Sequence, residues 1–144
     1  MKHTLQLKDF PLQAYDKLRY ADTDRQGHVN NSVFSTFLET GRVEFLFHPD
    51  LGIITPDTSF VVAALQLDYV QEIIWPGRVD IGTGILKLGN SSIKVLQYIF
   101  QNGDCAARAE TVIVQVNNEN GKAKPISRAA KDSMSRWLVE ERPS

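Results

Sequence analysis

The chain has 144 residues, 42% hydrophobic and 23% charged, with a formal net charge of −1. That composition describes a single globular domain over 1–144, large enough to bury roughly two-thirds of its unfolded surface, and excludes a disordered chain. The near-zero charge excludes bulk attraction to nucleic acid. The single cysteine, Cys105, excludes an intrachain disulfide and fits a reducing, cytoplasmic setting. No apolar run approaches the ~20 residues of a membrane span, and the opening MKHTLQLKDF lacks the apolar core of a signal peptide.

Residues 1–15, with Phe10-Pro11, read as an arm, and Lys17–Ala21 as a short extended segment. The stretch from Arg19 to Asn31 is rich in Asp, Gly and Asn, as a loop should be. A long helix follows, capped by Asn30 or Asn31, whose carboxamides can accept from the free N–H groups of the first turn. Val33, Phe34, Phe37, Leu38, Gly41 and Phe45 recur at helical spacing on one apolar face. Val43, Leu46 and Phe47 predict that the helix is covered on a second side, and His48-Pro49-Asp50-Leu51-Gly52 ends it.

From Ser59 the pattern changes to strands. Val61–Ile73, Val79–Leu88, Ile93–Gln101 and Ala107–Val116 are β-branched or alternating and are separated by turn residues. Gly82 and Gly84 predict a bulge or a close approach of another backbone. Short connections require antiparallel strands, and the long helix is the natural cover for the face such a sheet must bury. Ser127–Glu140 reads as a terminal helix, with Ser127 as N-cap and Met134, Trp137 and Leu138 on one face.

The run Arg19-Tyr20-x-Asp22-Thr23-Asp24-x-x-Gly27-His28-Val29-Asn30-Asn31 continues into Phe37-Leu38-Glu39-x-x-Arg42-Val43-Glu44-Phe45. Gly89-Asn90-Ser91-Ser92, and Ala107-Arg108-Ala109-Glu110 leading to Gly121-Lys122-x-x-Pro125-Ile126, follow in order. With this arrangement the chain resembles the hotdog-fold acyl-CoA thioesterases of the 4-hydroxybenzoyl-CoA thioesterase family. The resemblance implies an α+β hotdog fold. A five-stranded antiparallel sheet wraps the long helix, and a C-terminal helix follows. It also implies a homodimer or dimer of dimers whose subunits join sheets, with active sites at the interface.

The implied activity is hydrolysis of an acyl thioester, on coenzyme A or on acyl carrier protein, with no cofactor beyond the coenzyme A of the substrate. A non-catalytic hotdog module that binds acyl groups is the alternative. Asp24 matches the family's acid, as nucleophile or as general base on water. Its ordinary pKa of ~3.9 keeps it ionised at neutral pH in either role; as a residue it is equally a turn cap. Asp22 is expected to hold the loop through backbone N–H groups. The helix start, at the Asn31 N–H, is the expected oxyanion site, because its first N–H groups lack intrahelical partners. Gly27 permits the turn. His28 and Asn30 orient water or substrate, or His28 is a hydrogen-bonded loop histidine.

Glu39 falls where the family carries an acid near the substrate, and its spacing to Arg42 suits an i,i+3 ion pair. Ser91 and Ser92 resemble the turn that touches the carrier, with Lys87 and Lys94 nearby. His3, His28 and His48 lack metal-ligand spacing. Cys105 reads as an inert, partly buried thiol.

Overall fold

A computed structural model describes residues 3–141. The elements run β1 (Leu12–Lys17), α1 (Val33–Leu46), β2 (Thr58–Tyr69), β3 (Arg78–Leu88), β4 (Ser92–Gln101), β5 (Asp104–Asn117) and α2 (Arg128–Met134). The five strands form one antiparallel sheet in the order β1-β3-β4-β5-β2, with α1 on one face. This is the hotdog arrangement.

The first strand differs from the expectation of an extended Lys17–Ala21. Leu12 and Ala14 are buried while Gln13 and Tyr15 face out, so the alternation that makes a strand lies earlier, and Tyr20–Asp22 is a 3-10 turn. The neighbours of β2 also differ from a simple meander. It pairs along its length with β5, and the connection from Val70 to Gly77 carries the chain to the far side of the sheet, where β3 pairs with β1 and β4. The β4–β5 hairpin turns on Asn102-Gly103, both at positive φ (52° and 86°), the geometry that matches strand twist.

Along β4, Val95, Gln97 and Ile99 alternate with Leu96, Tyr98 and Phe100, and all six are buried. The sheet therefore buries both faces here. α1 covers one. On the other, Leu5 and Phe10 of the arm and Val139 near the C-terminus pack against Leu96, Tyr98 and Phe100. This explains Gly82 and Gly84: a Cβ at Gly82 would lie 2.3 Å from the Phe10 ring, and one at Gly84 2.7 Å from Val139. The close approach is by side chains. The bulges lie at Val62–Ala64, Ile85–Lys87 and Ile99–Phe100 instead. Beneath this cover, Arg108 is paired with Glu141 and Glu110, and Tyr98 donates its hydroxyl to Glu141.

α1 buries Phe34, Phe37, Leu38, Gly41 and Phe45, the face read from the sequence. Val43 and Phe47 remain exposed in the protomer. Ser127 caps α2 by accepting from the Ala130 N–H at 3.1 Å. That helix is shorter than expected, giving way to a 3-10 turn at Ser135–Trp137. Met134 is buried and Trp137 packs on Phe45, but Leu138 is exposed, because the chain there straightens to bridge Ile85 of β3.

The helix lies closest to the sheet at Gly41. A Cβ there would sit 2.6 Å from Gln97 Nε2, 2.8 Å from Thr83 Oγ1 and 2.9 Å from Ile81 Cγ2. Gln97 Nε2 donates to the Leu38 carbonyl and to Thr83 Oγ1, each at 3.0 Å, so it cannot give way freely. Gly41→Ala should therefore destabilise. Overpacking at about 1–3 kcal/mol outweighs the helix-propensity gain of about 1 kcal/mol, and the strained Gln97 bonds add to the loss. A lower urea midpoint with unchanged m-value is the expected result.

Candidate active site

Residues 19–31 run from the end of β1 to the start of α1 and are stitched at three levels. At the base, Asp22 is buried and accepts from the Arg19 N–H at 3.0 Å and from Arg19 Nη2 at 2.9 Å. Its carbonyl accepts from the Asn30 N–H at 2.8 Å. Asp22 is thus committed to holding the loop, as expected, through the Arg19 guanidinium as well as a backbone N–H. Burial pushes its carboxyl up, but the bonds from Arg19 outweigh that and hold it below the ordinary 3.8.

In the middle, Asp24 and His28 close a turn with Gly27 at φ +81°. The Asp24 N–H donates to the His28 carbonyl at 2.8 Å. Asp24 Oδ1 accepts from the N–H groups of Gln26 (2.8 Å) and His28 (3.2 Å). The turn-cap reading of Asp24 holds for one of its two oxygens. Oδ1 caps the turn, while Oδ2 has no hydrogen bond among the described residues.

At the top, Asn30 Oδ1 accepts from the Ser32 N–H and Ser32 Oγ, each at 3.0 Å. Asn30 is the capping carboxamide although Ser32 occupies the N-cap position. The N–H groups of Val33 and Phe34 reach the carbonyls of Asn30 and Asn31. The Asn31 N–H donates to nothing among the described residues. The Asn31 carbonyl accepts from the Tyr69 hydroxyl at 3.1 Å, and the Tyr69 ring meets Phe34 edge-on at 5.0 Å.

Asp24, His28 and Asn31 share a pocket of about 310 Å³ with Gln26, Phe34, Tyr69 and Glu72, among others. Gly27 shapes its turn without lining it. Asn30, Glu39, Ser91 and Ser92 lie outside it within one protomer. Ser92 lines a second pocket with Lys87, Gly89 and Lys94. Glu39 is exposed and makes no ion pair with Arg42 among the described residues. Instead Arg42 Nη1 is buried without a hydrogen-bond partner, and burial lowers its guanidinium from the ordinary value.

The sequence reading missed Tyr69, Glu72 and Gln101. His28 Nδ1 lies 3.1 Å from Glu72 Oε1. Gln101 accepts from the Ile74 N–H at 3.0 Å and donates to the Ile74 carbonyl at 2.7 Å. This pins the Val70–Gly77 connection beside His28. Only the tertiary pairing of two distant loops brings these groups together, so no local spacing signals it. Cys105 is half-buried and its thiol is pushed up to about 11 by burial, consistent with an inert side chain.

The sheet wrapped on one helix, with Asp24 and Asn31 lining one pocket near the helix start, is the frame against which known proteins compare. The family model of the thioesterase-like superfamily matches residues 18–138. The chain belongs to that superfamily. The uncharacterised protein YsmA of Bacillus subtilis (strain 168) is 30% identical over 108 residues, covering 74% of this chain and 73% of YsmA. A predicted thioesterase from Bacillus stearothermophilus superposes with a TM-score of 0.80 at 29% identity, over 90% of this chain and 98% of that one. A thioesterase of Thermus thermophilus, solved with coenzyme A and Zn, gives 0.77 at 30% identity, over 90% and 96%. PA5185 of Pseudomonas aeruginosa strain PAO1, at 23% identity over 95% and 98%, shares the fold with a TM-score of 0.83. The superfamily and the two thioesterase neighbours near 30% identity support thioester hydrolysis as the general chemistry.

The Asp22 pairing sets a pH dependence. Its folded pKa is depressed, so its contribution is present in full above the unfolded value of 3.8 and is lost as pH falls through the folded value. Arg19 is exposed, which screens the pair. Asp22→Asn should cost about 1–2 kcal/mol at pH 7, and urea titrations of variant and wild type should converge in acid. An equal gap at both pH values would contradict this account.

Proposed function

We propose that the protein hydrolyses acyl-CoA thioesters at the pocket bounded by Asp24, His28 and Asn31. The observation that carries this reading is the division of labour at Asp24. One carboxylate oxygen holds the turn, and the other is free of hydrogen bonds at a pocket that Asn31, whose own N–H is unengaged among the described residues, also lines. The free Oδ2 brings the oxygen nucleophile to the thioester carbonyl, as its own oxygen or as that of a water it deprotonates. The Asn31 N–H, assisted by the helix dipole, stabilises the developing oxyanion. A thiolate leaves readily, so no strong acid is required. Coenzyme A as the carrier is supported by the Thermus relative solved with it, and by the pocket of Lys87, Ser92 and Lys94, which suits phosphate oxygens.

The working unit is a homodimer. β2 lies at the edge of the sheet, and its residues from Thr58 to Leu67 carry no charge and no proline. Val61, Val62 and Leu65 are 47%, 54% and 42% exposed. Such an edge is a template for pairing with another strand, and a second copy is the occupant this reading assigns. Tyr69, which lines the pocket, ends the same strand. The partner would thus lie against the site.

Asp24→Asn is the decisive variant, because an amide oxygen can still accept the two turn N–H groups while the charged oxygen is lost. It should reduce kcat/KM for an acyl-CoA by about 10²–10⁴ with the fold intact, and Asp24→Ala should do so at some cost in stability. Turnover that survives both would remove Asp24 from the chemistry; a folded wild type inactive on every thioester would point to a binding module. Sedimentation should report a dimer, and Val62→Asp with Leu65→Asp should dissociate it and abolish activity together.

A further inference from the structure

We propose that Glu72 is a positioning residue for His28. Its carboxylate holds the imidazole in the tautomer with the proton on Nδ1, which leaves Nε2 as the acceptor that orients the attacking water beside Asp24. The kinetic part of this proposal rests on the hydrolase reading above, in the form in which Asp24 acts on water; the tautomer does not.

The argument begins with the contact. His28 Nδ1 lies 3.1 Å from Glu72 Oε1. An ionised carboxylate offers only acceptors, so the contact is favourable only when Nδ1 carries a proton. In the neutral ring the lone pair is then on Nε2. His28 lines the pocket together with Asp24, so a water there can donate one hydrogen to Nε2 and the other to the free Asp24 Oδ2. Fixed by both, the water presents its remaining lone pairs to the carbonyl. A base oriented by a third group is the general logic of activated nucleophiles.

The fold builds this juxtaposition. The Val29 N–H donates to the Ile73 carbonyl at 2.8 Å, and His28 forms an isolated antiparallel bridge with Ile74. Ile73 is fully buried, and the Gln101 side chain clamps Ile74 on both its N–H and its carbonyl. Glu72 therefore projects from backbone anchored to His28 and to the sheet. The other acid at His28 is Asp24, whose Oδ1 accepts the His28 backbone N–H. The two carboxylates thus address different parts of one residue: Asp24 its main chain and Glu72 its ring.

The Glu72 side chain is 64% exposed, so the pair adds little to folding stability. Its effect lies in the choice between two nearly equivalent tautomers, which a weak contact can decide. That separates positioning from a structural role.

Ring-nitrogen NMR of the intact protein, above the pH where the imidazole loses its charge, tests the tautomer without substrate. Wild type should show the Nδ1–H form at His28. Glu72→Ala should move it toward the Nε2–H form with unchanged thermal stability. Glu72→Gln, whose amide oxygen still accepts, should retain the Nδ1–H form. On an acyl-CoA, Glu72→Ala should lower kcat about tenfold, part of the 10²–10⁴ that positioned proton transfer contributes, with KM little changed, and Glu72→Gln should restore most of it. An Nε2–H wild type, or a tautomer indifferent to Glu72→Ala, overturns the proposal, as does a loss confined to KM. A wild type in the Nδ1–H form that turns over no thioester overturns the hydrolase reading and the water-orienting role, while leaving the pairing intact.

Discussion

The contact on which the molecule depends is the seat of α1 at Gly41. A helix can approach a sheet this closely only where it presents no side chain, and the space above Ile81, Thr83 and Gln97 is already filled. Gln97 converts the approach into a fixed position. It is fully buried, and its amide nitrogen donates both to the helix backbone at Leu38 and across the sheet to Thr83. Packing by Phe34, Phe37, Leu38 and Phe45 supplies the apolar burial, which is not directional. The glutamine bonds supply the register. Because α1 is a rigid rod, fixing Gly41 also fixes where its N-terminus lies, and that is where the proposed oxyanion donor is needed.

Around that end the loops are tied rather than packed. Asp22, Asp24 and Asn30 each spend side-chain oxygens on backbone N–H groups, and Tyr69 reaches across to the Asn31 carbonyl. Such bonds contribute modest net energy each, but leaving a buried partner unmade costs more. A short polar segment with few apolar contacts therefore gains a defined shape. Gln101 extends the same device to the neighbouring connection, so both walls of the pocket are anchored to the sheet through directional bonds. A site on loops becomes as well placed as one on regular structure.

This division explains which parts are legible in the sequence. The buried face of α1 is readable because Phe34, Phe37, Leu38, Gly41 and Phe45 obey one period. The hotdog fold follows from motifs in order, and the bonds of Asp22 match its expected role. β1 is misplaced because its alternation covers only Leu12–Lys17 and follows a proline, where punctuation outweighs pattern. The short i,i+3 step from Glu39 to Arg42 does not yield an ion pair, because Arg42 turns toward a buried site and leaves Glu39 in solvent. The pairing of β2 with β5, and with it the meeting of Glu72 and His28, depends on contacts distant in sequence. Periodicity carries no information about those.

The proposed dimer gives the edge at β2 a reason. A protomer that buries both faces of β4 has enough core to fold, yet it leaves a long apolar strand without a neighbour on one side. Natural edges are blunted with charge, proline or cover. β1, the opposite edge, follows that rule: it is short, begins after Pro11 and contains Asp16 and Lys17. β2 does not follow it over Thr58–Leu67, and charge first appears at Asp68, beside the pocket. The asymmetry between the two edges is what a pairing surface requires. In the proposed dimer one edge refuses partners and the other would accept a single antiparallel copy of itself, which would close the assembly at two subunits instead of propagating. Because Tyr69 ends this edge and its hydroxyl donates to the Asn31 carbonyl, the proposed dimer seam and the proposed oxyanion donor would meet in one residue.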